Sequence, residues 1–462
     1  MIAKMAGHHV RFRSFMARGW IVGAAAIVCA VAMPQSAGAT VKILHAFCAK
    51  QYCPDGQTPQ YPPIADSNGV LYGTTAFGGN NNGVVYALTP DGTGGYTYRV
   101  LHRFCSVSAC GDGATPAAPP IIDTHGNLYG TTFGGGAYGK GTLFELKPNA
   151  DRTEWTEIVR YSFCPGGDPC ADGKWPEAQL TYPGAYTGAP YDGSSPIYGA
   201  SPFAGTGNNG NGAGVAFRIV PVAGHSKWKE TVIYQFCSQA DCIDGASPQS
   251  GLTINANGVL FGTTVNGGNG GPNGWGTVFK IYPQQQREVV VYAFCAGFGC
   301  QDGINPVGPV SIDARGRLYG TTSNGGASSS GIVFKITPSA SSPETVLYNF
   351  CGAANCTDGA SPSAGVTIDP NGNLFGVTRY GGADYSVNCD NSGHGCGTLY
   401  RFNPRTSKLA VLHSFCRAGL PDCGDGAEPL YGRLSLDGSG NVFGVASEGG
   451  LHGGGTVFEY VP

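Results

Sequence analysis

Asn127-Leu128-Tyr129-Gly130-Thr131-Thr132, then Gly141-Thr142-Leu143-Phe144, then Phe163-Cys164 and Cys170-Ala171-Asp172-Gly173: this succession decides the fold, because the chain writes it seven times. The Phe-Cys steps fall at Phe47-Cys48, Phe104-Cys105, Phe163-Cys164, Phe236-Cys237, Phe294-Cys295, Phe350-Cys351 and Phe415-Cys416. Each is followed within a few residues by a second cysteine in Cys-x-Asp-Gly, and then by a proline. Self-similarity on a period of roughly sixty residues means one small unit is used again and again. Architecture is therefore settled before any single residue is interpreted.

Each unit has room for four short strands. In the second unit they read Pro120 to Asp123, Asn127 to Thr132, Gly141 to Leu146 and Glu157 to Phe163. All are rich in β-branched or aromatic residues and bounded by Gly, Asn, Asp or Pro. The first two are joined by a tight Asp-x-x-Gly turn, seen at Asp66, Asp123, Asp313, Asp369 and Asp437. There Asp bonds its own backbone and Gly takes the positive φ. Four-stranded units repeated without helices predict an all-β, seven-bladed β-propeller, its repeats opening near residues 41, 98, 157, 230, 288, 344 and 409. Val41 to Phe47 reads as an outer strand with no partner before it, and Gly455 to Tyr460 as a third strand with no fourth after it. Letting the N-terminal strand complete the last blade satisfies both edges and closes the ring. A linear β-solenoid is the rival, and it would leave both half-blades unpaired.

Residues 1–39 are expected to be a secretory signal peptide, with residues 40–462 forming the propeller. Lys4, Arg11, Arg13 and Arg18 precede an apolar run from Trp20 to Met33, and Ala37-Gly38-Ala39 supplies small residues for cleavage. That run is too short to span a bilayer, and Val28 is too bulky to precede a lipid-bearing Cys29. Cleavage removes four of 27 basic residues and none of 30 acidic ones, so the remainder carries a formal −7. Mild acidity without a basic run argues against nucleic acid or an anionic membrane as partner.

Of 17 cysteines, Cys29 leaves with the signal and the others fall into close pairs. Seven belong to the repeat: Cys48 with Cys53, Cys105 with Cys110, Cys164 with Cys170, Cys237 with Cys242, Cys295 with Cys300, Cys351 with Cys356, and Cys416 with Cys423. The eighth is Cys389 with Cys396. Local pairs in an exported chain read as disulfides, and a secreted or periplasmic location follows. Zinc is the rival, but no second Cys or His pair stands at ligand spacing. Such short loops allow at most roughly 2 kcal/mol per staple.

The two motifs resemble the GloVer tandem-repeat family, named for its Gloeobacter and Verrucomicrobia members. The phrases that carry the resemblance are Asn127 to Thr132, Gly141 to Phe144, and Asp358-Gly359-Ala360-Ser361-Pro362. It covers essentially all of residues 41–462 and implies an exported bacterial propeller-like protein. It implies no activity and no catalytic residue, and the cysteine pairs depart from the family's phrase.

In such a propeller the cysteine-bearing crossings and the loops between second and third strands share one face, here called the top. The Cys-x-Asp-Gly aspartates (Asp55, Asp112, Asp172, Asp244, Asp302, Asp358 and Asp425) stand in every unit, so a turn needed by every blade explains them better than a ring of cations. Chemistry is sought where one unit departs from the others. Blade 6 carries a long loop with Arg379, Tyr380, Asp384, Tyr385 and His394, stapled by Cys389 and Cys396. Blade 7 offers Glu448 and His452 in the equivalent loop, with Tyr431 and Arg433 lining the channel. Blade 3 has Lys174, Trp175 and Glu177 where others read Ala-Ser-Pro, and a longer bottom turn through Tyr186, Tyr191 and Asp192. His45, His102 and His413 share a slot with Tyr161, Tyr234, Tyr292 and Tyr348 and are expected to be packing residues.

These residues suit a monomeric binding module for a glycan or an extracellular protein, without metal or cofactor. The alternative is a polysaccharide lyase or hydrolase at blades 6 and 7, with Arg379 neutralising a carboxylate and Tyr or His exchanging protons. A third reading is a structural surface protein without a site.

Overall fold

The structure, a computed structural model, describes residues 40–207, 212–340, 343–383, 389, 395–417 and 423–462. Seven antiparallel sheets follow one another along the chain. In blade 2 they are Ile121–Ile122, Leu128–Thr132, Thr142–Pro148 and Trp155–Ser162, running from the channel outward. The last blade consists of Ser435–Leu436, Val442–Ala446, Thr456–Val461 and, as outermost strand, Thr40–Ala46. Val41 pairs with Tyr460 and Ala46 with Thr456, so the ring closes as a propeller and the solenoid is excluded.

Burial explains why the middle strands do not alternate. Leu128–Thr132 is buried at every position, as are its counterparts Leu71–Thr75 and Leu260–Thr264. A sheet covered on both faces by neighbours has no polar face to show water. The central glycine of this strand has its own cause. Gly130 pairs with Phe144, whose ring tip reaches over it, and a β-carbon there would stand 2.6 Å from Phe144 Cζ. The same cross-strand arrangement joins Gly73 to Tyr86, Gly199 to Phe217, Gly262 to Phe279, Gly320 to Phe334, Gly376 to Tyr400 and Gly444 to Phe458.

The ring over the glycine meets the phenylalanine of the preceding Phe-Cys. Phe104 packs on Phe144, Phe236 on Phe279, Phe350 on Tyr400, and Phe47 closes the circle on Tyr86, with centroids 4.8 to 5.3 Å apart. Each seam is thus a stack of Phe, aromatic ring and glycine, which is why these residue types recur together. Nearer the axis, hydroxyls stitch blade to blade. Thr253 donates to the Val310 carbonyl at 2.7 Å, Thr367 to that of Leu434 at 2.6 Å, and Ser311 to that of Val366.

Blades 3 and 5 depart from four strands. Blade 3 has Ile197–Ser201, Val215–Val220 and Lys229–Gln235, and its inner strand shrinks to a single bridge between Thr181 and Tyr198. Its bottom turn holds a short 3-10 segment, Ala185–Thr187, and leans on blade 2 through a bridge between Asp123 and Tyr191. Blade 5 gains a short strand, Ile304–Pro306, beside Leu318–Asn324.

All eight cysteine pairs are disulfides: Cys48–Cys53, Cys105–Cys110, Cys164–Cys170, Cys237–Cys242, Cys295–Cys300, Cys351–Cys356, Cys389–Cys396 and Cys416–Cys423. The crossings that hold them add three details to the sequence reading. Positive φ, expected of glycine, falls on cysteine as well. The first cysteines Cys48, Cys105, Cys164, Cys237, Cys295 and Cys351 and their partners Cys53, Cys110, Cys170, Cys242, Cys300 and Cys356 all have φ between 46° and 70°. Such conformations cost non-glycine residues roughly 1–2 kcal/mol each, and the covalent staple limits the alternatives. The units are not wholly without helical turns either. Ser108–Cys110, Ala240–Cys242 and Ala354–Cys356 are short 3-10 segments that bring the second cysteine back to the first.

The second cysteine is also more than half of a staple. Its carbonyl accepts two glycine N–H groups, one from its own Asp-Gly turn and one from the loop between second and third strands. Cys53 takes Gly56 and Gly79, Cys110 takes Gly113 and Gly136, and Cys242 takes Gly245 and Gly268. Cys300 takes Gly303 and Gly326, and Cys356 takes Gly359 and Gly382, with all ten distances between 2.8 and 3.0 Å. The two loop systems of the top face are thereby fastened to each other, which explains why Gly-Gly recurs with Cys-x-Asp-Gly. Among the described residues no helix is long and apolar enough to cross a membrane.

Candidate functional site

The crossing aspartates are anchors of the top face. Asp172 accepts the backbone N–H of Cys164 at 2.9 Å and the Tyr161 hydroxyl at 2.7 Å. Asp244, Asp302 and Asp358 accept in the same way from Tyr234, Tyr292 and Tyr348 and from a backbone N–H. In the other three blades histidine takes the tyrosine's place, with Nε2 at 3.4 Å from Asp55, 3.3 Å from Asp112 and 2.8 Å from Asp425. Burial holds His45 and His102 below the ordinary imidazole range, and the facing carboxylates only partly offset it. The three histidines are packing residues, and the seven aspartates serve the turns.

The structure separates most of the residues singled out above. Arg379 donates two N–H groups to Glu428 Oε2 on the next crossing, at 2.9 and 2.7 Å, and its guanidinium lies 4.9 Å from the Tyr380 ring centroid. Trp175 stacks on Phe133 at 5.5 Å, meets Phe203 edge-on at 5.5 Å, and has the Lys140 and Lys174 ammonium groups at 5.4 and 4.8 Å. Arg379 and Trp175 therefore sit in seams between blades. Glu448 is exposed, its backbone bridged to Ala427, and exposed His452 lies out at the rim near His45. Asp384, Tyr385 and His394 lie outside the described residues, although the disulfide that staples their loop, Cys389–Cys396, is formed.

Two candidates from distant repeats do meet. Glu177 of blade 3 and Tyr431 of blade 7 line one cavity of ≈ 250 Å³ at the top mouth of the channel, together with Gln60, Tyr61 and Gln249. The Tyr61 and Tyr431 rings stand 5.9 Å apart at 31°, Tyr61 buried and Tyr431 more than a third exposed. Burial pushes the Glu177 carboxyl up to about 7, and it raises the Tyr61 hydroxyl further still. The mouth thus offers ring faces, two carboxamides and a carboxyl that changes charge near neutrality.

Gln60, Tyr61 and Gln249 were not singled out from sequence, yet a signal was there. The residue after each crossing proline reads Gln60, Ala117, Glu177, Gln249, Val307, Ser363 and Leu430. It varies while its neighbours repeat, and Gln60, Ala117, Glu177, Gln249 and Val307 of this slot line the mouth.

Arg433 belongs to a second cavity. It lines a channel cavity of ≈ 380 Å³ with Gln179, Thr181, Tyr186, Thr253, Ser311 and Ser435, among others. That cavity shares no lining residue with the mouth, and its neighbour of ≈ 750 Å³ reaches the Asp-x-x-Gly turns of the opposite face.

The sequence model described as Gloeobacter/Verrucomicrobia repeat matches residues 30–269 and again residues 185–458. No curated protein matches the chain in sequence. Among solved structures, it is similar to a gluconolactonase, XC5397 from Xanthomonas campestris, at 13% identity over 92% of this chain and 90% of that one, with a TM-score of 0.39. A PQQ-bound aldose sugar dehydrogenase from Streptomyces coelicolor is similar at 11% identity over 92% and 98%, with a TM-score of 0.41. TolB from Acinetobacter baumannii follows at 11% identity over 85% and 79%, with a TM-score of 0.37. Likeness this distant carries no argument about activity.

Proposed function

The chain belongs to the Gloeobacter/Verrucomicrobia repeat family, and from that premise we propose that it is an exported binding module whose top face engages a glycan. The observation that carries this reading is the mouth, where Tyr61 and Tyr431 stand beside Glu177, Gln60 and Gln249. A sugar presents apolar C–H faces flanked by hydroxyls. Aromatic rings take the faces, while carboxylate and carboxamide groups take the hydroxyls. Rigidity supports the same use, since stapled crossings hold the mouth without spending binding energy on ordering loops. Eight disulfides fit the periplasm or the cell exterior, where thiols are oxidised.

The test is a glycan array on the oxidised full chain, followed by calorimetric titration of the strongest hit. Tyr431→Ala is expected to weaken that hit at least about tenfold, the loss of one stacking contact and its burial. Silence across the array, or affinity untouched by Tyr431→Ala and Glu177→Gln together, overturns the reading in favour of a protein partner or a structural role. The Glu177 carboxyl, poised near neutrality, supports a polysaccharide lyase or hydrolase as second reading. Reducing ends and absorbance at 235 nm, followed in the same screen, decide between turnover and binding.

A further inference from the structure

Blade 7 differs from every other blade by one extra residue between its crossing proline, Pro429, and its inner strand, and this widened stretch carries Arg433. Its side chain crosses in front of blade 6, where a β-carbon on Gly365 would meet Arg433 Cγ at 3.1 Å. It ends on blade 5, where Nη1 donates to the Val310 carbonyl at 3.4 Å and to Ser311 Oγ at 3.2 Å. The guanidinium keeps Nε and Nη2 unpaired among the described residues, and neither atom is sealed from the cavity. No described carboxylate pairs with it, and among the described residues it is the one charged side chain lining this cavity. Burial lowers its pKa to about 10, so it stays a cation at neutral pH.

A half-buried cation without a counter-charge is costly to keep, and an arginine fork matches a carboxylate in two parallel hydrogen bonds. The rest of the wall narrows the choice of anion. Thr253, Ser311 and Thr367 spend their hydroxyl protons on carbonyls of the next blade, and Ser435 spends its own on Pro63. What they offer inward is lone pairs. Gln179 and Thr181 complete the polar wall, and a ligand that brings hydroxyl donors of its own beside its negative charge makes the most of it. Sulfate brings none, and hydrogen phosphate brings only one. Ile254, Ile312, Ile368 and Leu434 give the cavity apolar patches, and Tyr186, more than half exposed, stands at the same cavity as a ring for stacking.

We infer that the channel is a second binding site, for a small hydroxylated carboxylate of the sugar-acid class, with Arg433 as its anion anchor and its entrance on the Asp-x-x-Gly face. Asp66, Asp123 and Asp437 line that entrance, but their Oδ1 atoms already accept backbone N–H groups of their own turns. Arg152 lines the same entrance and faces Asp66 at 3.7 Å, which offsets part of their charge.

The experiment is calorimetric titration of the oxidised full chain with D-galacturonate, D-galactose and sulfate. Galacturonate is expected to bind, and galactose and sulfate at least tenfold more weakly. Arg433→Gln should weaken galacturonate at least tenfold. Gln179→Leu, which leaves the brace onto blade 5 intact, should weaken it severalfold should Arg433→Gln fail to fold. Tyr431→Ala, at the separate mouth, should leave galacturonate unchanged while it weakens the glycan of the array, so either site can fail without the other. No heat with galacturonate, sulfate binding as tightly, or affinity unmoved by both channel variants overturns the inference.

Discussion

The seam between blades 2 and 3 and the seam between blades 6 and 7 fill the same two repeat slots with opposite chemistry. In the first, Phe133 stacks on Trp175; in the second, Arg379 pairs with Glu428. Each pair takes the slot after the second strand and the slot before the next crossing proline. Trp175 and Glu428 even share a left-handed backbone, with φ of 59° and 52°. A departure from the repeat therefore marks a slot filled differently, and the filling is complete only when its neighbour in the ring is read with it. A second slot sharpens the contrast. At the first seam the outer strand places Glu230 against Asp172, and burial drives that carboxyl up to about 8. The last blade has Val41 in the same slot.

Breaking the aromatic seam is the largest expected effect. Trp175→Ala removes a ring held by two aromatic neighbours and should cost about 3 kcal/mol, read as a fall in Tm and in the denaturant midpoint. A loss below about 1 kcal/mol would mean that the stack only decorates the surface.

Acidity separates the seams next. A carboxyl with a raised folded pKa binds more protons in the folded chain, so its stabilising share is full below about pH 4.5 and is lost as pH rises toward 8. Glu157, Glu288 and Glu344, lifted to about 7, 8 and 7, add to Glu230 in blades 2 to 5. Glu230→Gln is expected to gain on the order of 1 kcal/mol at pH 8.5 and nothing at pH 4.5, the shift being discounted because the group is partly exposed. Equal effects at both pH values would contradict the burial argument. Thermal melts across pH decide it.

The smallest effect is expected at the ion pair. Arg379→Ala should cost about 1 kcal/mol or less, and the loss should shrink as salt is raised. Arg379→Phe with Glu428→Trp transplants the first seam into the second. The double variant should recover stability and lose the salt dependence, and a double variant weaker than either single one would show that the slots are not equivalent.

Most of the fold was legible because its contacts are local or periodic. Phe104, Phe144 and Gly130 come from phrases that recur in every unit, and the unpaired ends at Val41 and Tyr460 pointed to each other. The partners of the cysteines were legible for the same reason, but the left-handed backbone at Cys53, Cys110 and Cys242 was not, because spacing alone does not say which way a short loop turns. The candidate site was legible only in part. Glu177 and Tyr431 stood out as departures, but nothing along the chain placed blade 3 beside blade 7 across a mouth. Arg379 stood out for the same reason and proved to be held by Glu428, a residue that had drawn no notice. Distinguishing a seam from a site requires the partner, and the partner lies in another repeat.

Ring closure also imposes an order of events. Thr40–Ala46 precedes the blades along the chain, yet its pairing strand, Thr456–Val461, comes after all the other described strands. While the blades between them form, that first strand carries a bare row of amide donors and acceptors, open to any passing edge. The circle is thus a clasp whose second half is made only after the blades between, and a chain cut before Thr456 keeps one half of the clasp permanently undone.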